Sequence, residues 1–196
     1  MPTDRLSQQI AFILEIDRLK QVNRQTLIAD GSRRENDAEH SWHLALMASL
    51  LAEYGPPALD AARVTRMLLV HDVVEIDAGD TYCYDPAACL TQRDREVAAA
   101  ERIFALLPPE QARELRELWE EFEARQTPES RFAAALDRLQ PVLLNYHTQG
   151  RAWLEHGVTR AQVIERNRHI ESGAPRLWAY VQCLIDEAVE RGYLLP

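Results

Sequence analysis

At 196 residues the chain is long enough to bury a sizeable core, and its 46% apolar and 27% charged residues are those of an ordinary globular protein. With 22 Lys and Arg against 31 Asp and Glu, the net charge of −9 opposes extended nucleic-acid binding but leaves room for a small anion in a locally basic pocket. Three cysteines without CxxC spacing, a polar N-terminal segment and no apolar run long enough to span a bilayer point to a soluble, cytoplasmic protein with no membrane partner.

Nearly every apolar repeat has a helical period, which predicts an all-α fold. One domain over 1–196 is expected, with eight or nine helices, a core over about 5–147 and a C-terminal helical extension over about 148–196. The first helix is expected from about 5 to 21, with Ile10, Ile13 and Leu14 on one face. An Arg-rich loop from 22 to 37 follows and ends in the capping signal Asn36-Asp37. A helix from 38 to about 54 stops at Gly55-Pro56-Pro57. The next, from about 59 to 76, carries Val64, Met67, Leu68, His71 and Glu75 on one stripe. After a loop over 77–88 containing Tyr82 and Tyr84, helices are expected over 91–107 and 109–125, separated by Pro108-Pro109. Thr127-Pro128 opens a helix to about 147. Thr159 and Gln162 form a capping box for a helix ending near 171, and Gly173 precedes a last helix from 175 to about 191.

His71-Asp72 sets two ligand-type side chains next to each other inside an apolar run. Adjacent residues on a helix diverge by about 100°, so both reach one ion only if it lies between their directions. For the dipeptide alone, a packed histidine beside a surface aspartate is the simpler reading. His40 opens another apolar helix, and Asp137 lies in the run Ala133-Ala134-Ala135-Leu136. A carboxylate buried there needs a cation, either an arginine such as Arg138 or a metal. Pro141 is expected to kink the helix beside it, because its ring clashes with the carbonyl of Asp137. Glu75 follows His71 by one helical turn and projects near both His71 and Asp72.

The order His40, His71-Asp72, Asp137 resembles the H…HD…D pattern of the HD superfamily of metal-dependent phosphohydrolases. Asn23-Arg24, Arg34-Glu35-Asn36, Glu39-His40-Ser41, Gly79-Asp80 and Leu136-Asp137-Arg138-Leu139 also look like motifs of bacterial 5′-deoxynucleotidases. The likeness runs in order over roughly residues 5–147. It implies an HD-domain helical bundle with one divalent metal held by His40, His71, Asp72 and Asp137. Two imidazoles and two carboxylates suit Mn²⁺, Co²⁺, Fe²⁺ or Zn²⁺. No histidine occurs between Asp72 and Asp137, which speaks for one metal rather than two.

By the same resemblance, Glu75 is a general acid or base and Asp80 positions the sugar or a water. Arg24 binds phosphate, assisted by Arg33 and Arg34 unless these pair with Glu35 or Asp37. The implied reaction is hydrolysis of a nucleoside 5′-monophosphate, a small phosphomonoester, by a homodimer. Hydrolysis of a nucleoside triphosphate or alarmone is a second expectation, and a noncatalytic metal- or nucleotide-binding module a third. One departure stands out: Gln25 replaces the Trp that follows the arginine in the deoxynucleotidases, which removes the basis for preferring a 2′-deoxy sugar. The four tryptophans are read as core or interface residues, His43 as packed rather than supporting His40, and Tyr82 and Tyr84 as candidate lining of the pocket mouth.

Overall fold

Side-chain caps and prolines set most helix boundaries in the computed structural model, which describes residues 4–81 and 90–196. Tyr82, Tyr84, Cys83 and Cys89 lie outside those residues. Asp4 accepts from the Ser7 amide and starts α1 (Arg5–Ile16), which tightens into a 3₁₀ segment over Asp17–Gln21. The stretch expected as a loop instead forms a small antiparallel hairpin, β1 (Asn23–Leu27) and β2 (Arg34–Asn36). Its strands are too short, and too rich in Arg, Asn and Gln, to show apolar alternation. Asn36 caps α2 (Asp37–Leu51) through a full capping box with Glu39, so the hairpin runs straight into the helix that carries His40.

The helix expected over 59–76 is broken. α3 spans Ala61–Val70, a turn covers 71–74, and α4 is Glu75–Ala78. Between them the amide of Val73 bonds to Val70 and that of Glu75 to Asp72, i→i+3 bonds that tighten the chain. Burial on all sides and the β-branched pair Val73-Val74 weaken the α-helical register there. α5 (Gln92–Phe104) and α6 (Pro109–Ala124) follow, then α7 (Pro128–His147), opened by the Thr127 capping box with Pro at its first turn. α7 runs through Pro141 without a break. The extension holds α8 (Arg151–Glu155), α9 (Arg160–Asn167) with its Thr159–Gln162 box, α10 (Ile170–Gly173) and α11 (Pro175–Glu190). The fold is all-α: among the described residues, eight helices have eight residues or more, and the hairpin is the one sheet.

α2, α3, α7, α10 and α11 share the main apolar cluster, in which Trp153, Val163, Ile170 and Val181 of the extension join Leu44, Leu68 and Leu136. A Cβ on Gly173 would lie 2.3 Å from the carbonyl oxygen of Arg131, so a glycine is what lets α10 close onto the start of α7. A second cluster around Ile103, Phe104 and Trp119 packs α5 and α6 on Val73 and Val74. The turn that carries His71 and Asp72 is thus clamped between two cores.

Candidate metal centre

Three elements bring four ligand-type side chains together. His40 comes from the first turn of α2, His71 and Asp72 from the turn after α3, and Asp137 from α7. His40 Nε2 lies 3.1 Å from Asp137 Oδ1 and 3.9 Å from Asp72 Oδ2. His71 Nε2 lies 3.1 Å from Asp72 Oδ1 and 3.8 Å from Asp137 Oδ1. One donor atom each from His40, His71 and Asp72 falls within 4.8 Å of the others, close enough to share one ion.

The tautomers can be assigned from the surroundings. His71 Nδ1 donates to the Leu68 carbonyl at 2.9 Å, which leaves Nε2 a bare lone pair, buried and without a hydrogen-bond partner. The Gln140 amide donates to Glu35 Oε1 at 2.6 Å, so its oxygen faces His40 Nδ1 at 3.1 Å and receives that N–H. His40 Nε2 therefore meets Asp137 acceptor to acceptor, an arrangement only a proton or a metal cation satisfies. Gln140 also reaches His43 Nδ1 at 3.3 Å, so His43 does belong to the support of His40.

Electrostatics agree with a cation site. Burial alone would lower the pKa of His40, as would Arg24, yet Asp137 and Glu35 raise it to about 9. His71 is likewise raised against burial, chiefly by Asp72 and Asp137. Arg138, 3.3 Å from Asp137 Oδ2, and both imidazoles hold Asp137 well below the usual carboxylate range despite its burial. The donor set and the inward-facing lone pair of His71 fit a divalent ion of the kind two imidazoles and two carboxylates select.

Beside the centre opens a cavity of about 310 Å³, lined by Asp72, Glu75, Asp80 and Asp137 among others. Glu75 is buried, its Oε2 has no partner, and burial followed by the charges of Asp72 and Asp80 pushes its pKa up to about 10. It therefore carries a proton at neutral pH, although a cation among these carboxylates would draw the value down. Gly79, at φ +74°, turns the chain so that Asp80 returns to the cavity. Burial raises Asp80 while Arg24 opposes the shift.

Arg24 is not the free phosphate fork expected. Its Nη1 binds Asp37 at 3.0 Å and Asp72 at 3.1 Å, and lies 3.8 Å from Asp80. Buried amid carboxylates, it neutralises and aims them. The structure does not bring Arg33 or Arg34 to the cavity. Arg33 grips Glu39 with two hydrogen bonds of 2.8 and 2.6 Å and so braces the α2 cap, while Arg34 binds Gln25 and approaches Glu155. Gln25 itself lines the cavity.

Several functional neighbours escaped the sequence. Gln140 had one signal, a polar residue three positions after Asp137 in an otherwise apolar stretch. The cavity arginines Arg125, Arg138 and Arg166 had none beyond Arg138 following Asp137.

The family model for the HD domain matches residues 16–178. The chain belongs to the HD-domain family. A solved structure, that of a predicted metal-dependent phosphohydrolase from Magnetospirillum magnetotacticum, is 58% identical with a TM-score of 0.95, covering 100% of this chain and 98% of that one. The human 5′-deoxynucleotidase HDDC2 is 31% identical over 135 residues, 68% of this chain and 65% of its own length. Its Xenopus laevis counterpart is 32% identical over 135 residues, 68% of this chain and 66% of that protein. This HD-domain chain thus spans just under two thirds of the length of those relatives. A conserved hypothetical protein from Pyrococcus furiosus, 21% identical with a TM-score of 0.63 over 92% of this chain and 99% of that one, shares the fold.

His169 offers a test of the basic side of the cavity. Burial, then Arg125 and Arg138, push its pKa down to about 4. An unfolded histidine has a pKa near ~6.5, so between these values the unfolded chain binds a proton that the folded one refuses. Stability should therefore fall as pH drops from about 6.5 to 4, by roughly 1–2 kcal/mol once partial exposure of the ring is allowed for. Thermal melts at pH 7 and pH 5 should show a smaller loss for His169→Gln than for the unsubstituted protein; an equal loss contradicts the assignment.

Proposed function

We propose that this HD-domain protein is a metal-dependent phosphomonoesterase that releases phosphate from nucleoside 5′-monophosphates. The observation that carries the reading is the convergence of two imidazole Nε2 atoms and two carboxylates on one space beside a cavity, with the buried carboxyl of Glu75 on its wall. The 5′-deoxynucleotidase relatives support the substrate class.

His40, His71, Asp72 and Asp137 would hold one divalent ion, Mn²⁺, Co²⁺, Fe²⁺ or Zn²⁺ in kind. That ion, when bound, supplies Lewis acidity, lowering the pKa of water and drawing charge from a phosphoryl oxygen. Gln140 and the Leu68 carbonyl fix the two imidazole tautomers so that the ligand lone pairs stay directed inward. Glu75 holds its proton at a buried carboxyl and donates it to the departing ester oxygen, then recovers it from the attacking water. Asp80 orients the sugar end of the substrate, and Arg24 keeps Asp72 and Asp80 in place.

Phosphate release across ribo- and deoxyribonucleoside monophosphates, with Mn²⁺ or Co²⁺ supplied, tests this reading. Release from both sugars is expected, because Gln25 offers a 2′-hydroxyl a polar neighbour. No release from any monophosphate contradicts it. Release of a larger phosphate from a triphosphate or alarmone would favour the second expectation.

No helix among the described residues is long and apolar enough to cross a membrane. A cytoplasmic location is inferred from three cysteines without CxxC spacing and from Cys183, an exposed free thiol. A homodimer is inferred from α2, where Trp42, Leu46 and Leu50 repeat every four residues and are 64%, 48% and 66% exposed. Sedimentation should report a dimer that Trp42→Glu with Leu50→Glu converts to monomer; a monomer at the outset contradicts the inference.

A further inference from the structure

Two clusters of charge share the cavity. Glu75 is influenced most by Asp72, Asp80, Asp37 and Glu96, whereas Arg125 is influenced by Arg138, Asp137, Glu123 and Arg166. The cavity lining combines an acidic group, Asp72, Glu75, Asp80 and Glu96, with a basic wall of Arg125, Arg138 and Arg166 beside the metal centre. The basic wall draws on three separate elements: the end of α6, the middle of α7, and α9 of the C-terminal extension.

The cations of the lining are not equally compensated. Arg24 is surrounded by carboxylates, Arg138 lies against Asp137, and Arg93 pairs with Glu123 at 3.5 Å. Arg125 and Arg166 have no carboxylate within ion-pair distance among the described residues, though Glu123 and Asp137 lie near enough to steady Arg125. The Nε of Arg166 is buried without a hydrogen-bond partner. The guanidiniums of Arg138 and Arg166 stand close enough to Arg125 to help depress its pKa below the usual value, after the effect of burial. Like charges gathered in a part-buried wall are unfavourable unless an anion enters among them.

The backbone adds an independent sign. Arg125 caps α6 in the left-handed region, at φ 51° and ψ 36°. Glycine is the usual residue there, and a side chain adopts the conformation only against a steric penalty at its Cβ. Strain of this kind is kept where a side chain is needed, and here that side chain is a cavity guanidinium.

We propose that Arg125 and Arg166, with Arg138 between them and the metal centre, form a second anion subsite, so that the preferred substrate is a phosphomonoester carrying a further anionic group. The inference rests on the phosphomonoesterase reading and sharpens its substrate class. It also gives the C-terminal extension a task, since Arg166 and its neighbour Asn167 reach the cavity from α9. Asn145 contributes a buried oxygen with no partner, an acceptor for a hydroxyl on the same ligand.

The test compares equilibrium binding of a nucleoside 5′-monophosphate with three probes: the matching 3′,5′-bisphosphate, the matching 5′-diphosphate, and phosphoglycolate as a carboxylate arm. Titration calorimetry is run on the full chain with Mn²⁺ present and Glu75→Gln in place to stop turnover, alone and combined separately with Arg125→Gln and Arg166→Gln. At least one doubly anionic probe should bind roughly 10- to 100-fold tighter than the monophosphate, as one or two charge-assisted hydrogen bonds would give. That advantage should shrink at least about fivefold in each variant that folds, with monophosphate affinity changing less than about twofold. The phosphate arms and the carboxylate arm show which anion is preferred. Equal binding of all probes overturns the proposal, as does equal weakening of monophosphate and doubly anionic probes in the variants, which would place the reacting phosphoryl group itself on these arginines. Turnover of the monophosphate, measured on the protein with Glu75 intact, reports separately on the phosphomonoesterase reading.

Discussion

Asp137→Asn is expected to weaken Mn²⁺ or Co²⁺ binding by at least about 100-fold, beyond the roughly 10- to 100-fold typical of residues that only support a ligand. Phosphate release should fall below about 1% at a metal concentration that saturates the unsubstituted protein. Asp137 is central because its Oδ1 faces both His40 and His71, while Oδ2 leans on Arg138. The asparagine keeps the shape and removes the charge. Melting temperature separates loss of metal from loss of fold. At a metal concentration about 100 times Kd, the unsubstituted protein gains about 2.7 kcal/mol, or roughly 5–10 °C for a chain of this size. With affinity about 100-fold lower, the variant should gain only ~1 °C. A variant that keeps its full thermal response to metal would exclude Asp137 from the ligand set.

Glu75→Gln should leave metal binding within about threefold and lower kcat by roughly 10²–10⁴, the range for loss of a general acid or base. Glutamine imitates the protonated carboxyl in shape and neutrality, so a residue with a purely structural task would tolerate it without loss. The same variant carries a pH signature in the metal-free protein. Glu75 sits near pKa 10 when folded and about 4.3 when unfolded, so the folded state binds the extra proton between those values. Its contribution is full below the unfolded value and is lost as pH rises toward the folded one. Glu75→Gln should therefore flatten the decline in stability between about pH 7 and 9. Unchanged kcat, or metal binding lost together with activity, contradicts the proton-transfer role.

How far the sequence was legible depended on how local each signal was. Capping boxes at Asn36, Thr127 and Thr159 involve neighbouring residues, and each opens a helix where expected. Residue type singled out His40, His71, Asp72 and Asp137, and the resemblance to the HD pattern joined them into one expected ligand set, which the fold gathers from three elements. Features set by tertiary context were hidden. The hairpin before α2 lacks apolar alternation because Arg24 and Glu35 turn toward the carboxylate cluster rather than a hydrocarbon core. The break at His71 follows from burial on both sides, which periodicity does not register. Arg24 was legible as important but not as a partner of Asp37 and Asp72, since those residues lie 13 and 48 positions away. Arg125 and Arg166 become neighbours only once the extension folds back over α7.

A crystal soaked in Mn²⁺ and measured for anomalous scattering is the most direct check on the whole account. One strong peak is expected, at about 2.0–2.3 Å from a nitrogen of His40, a nitrogen of His71 and an oxygen each of Asp72 and Asp137. A peak that leaves out His40 or Asp137, or no peak among these four side chains at saturating metal, would contradict it.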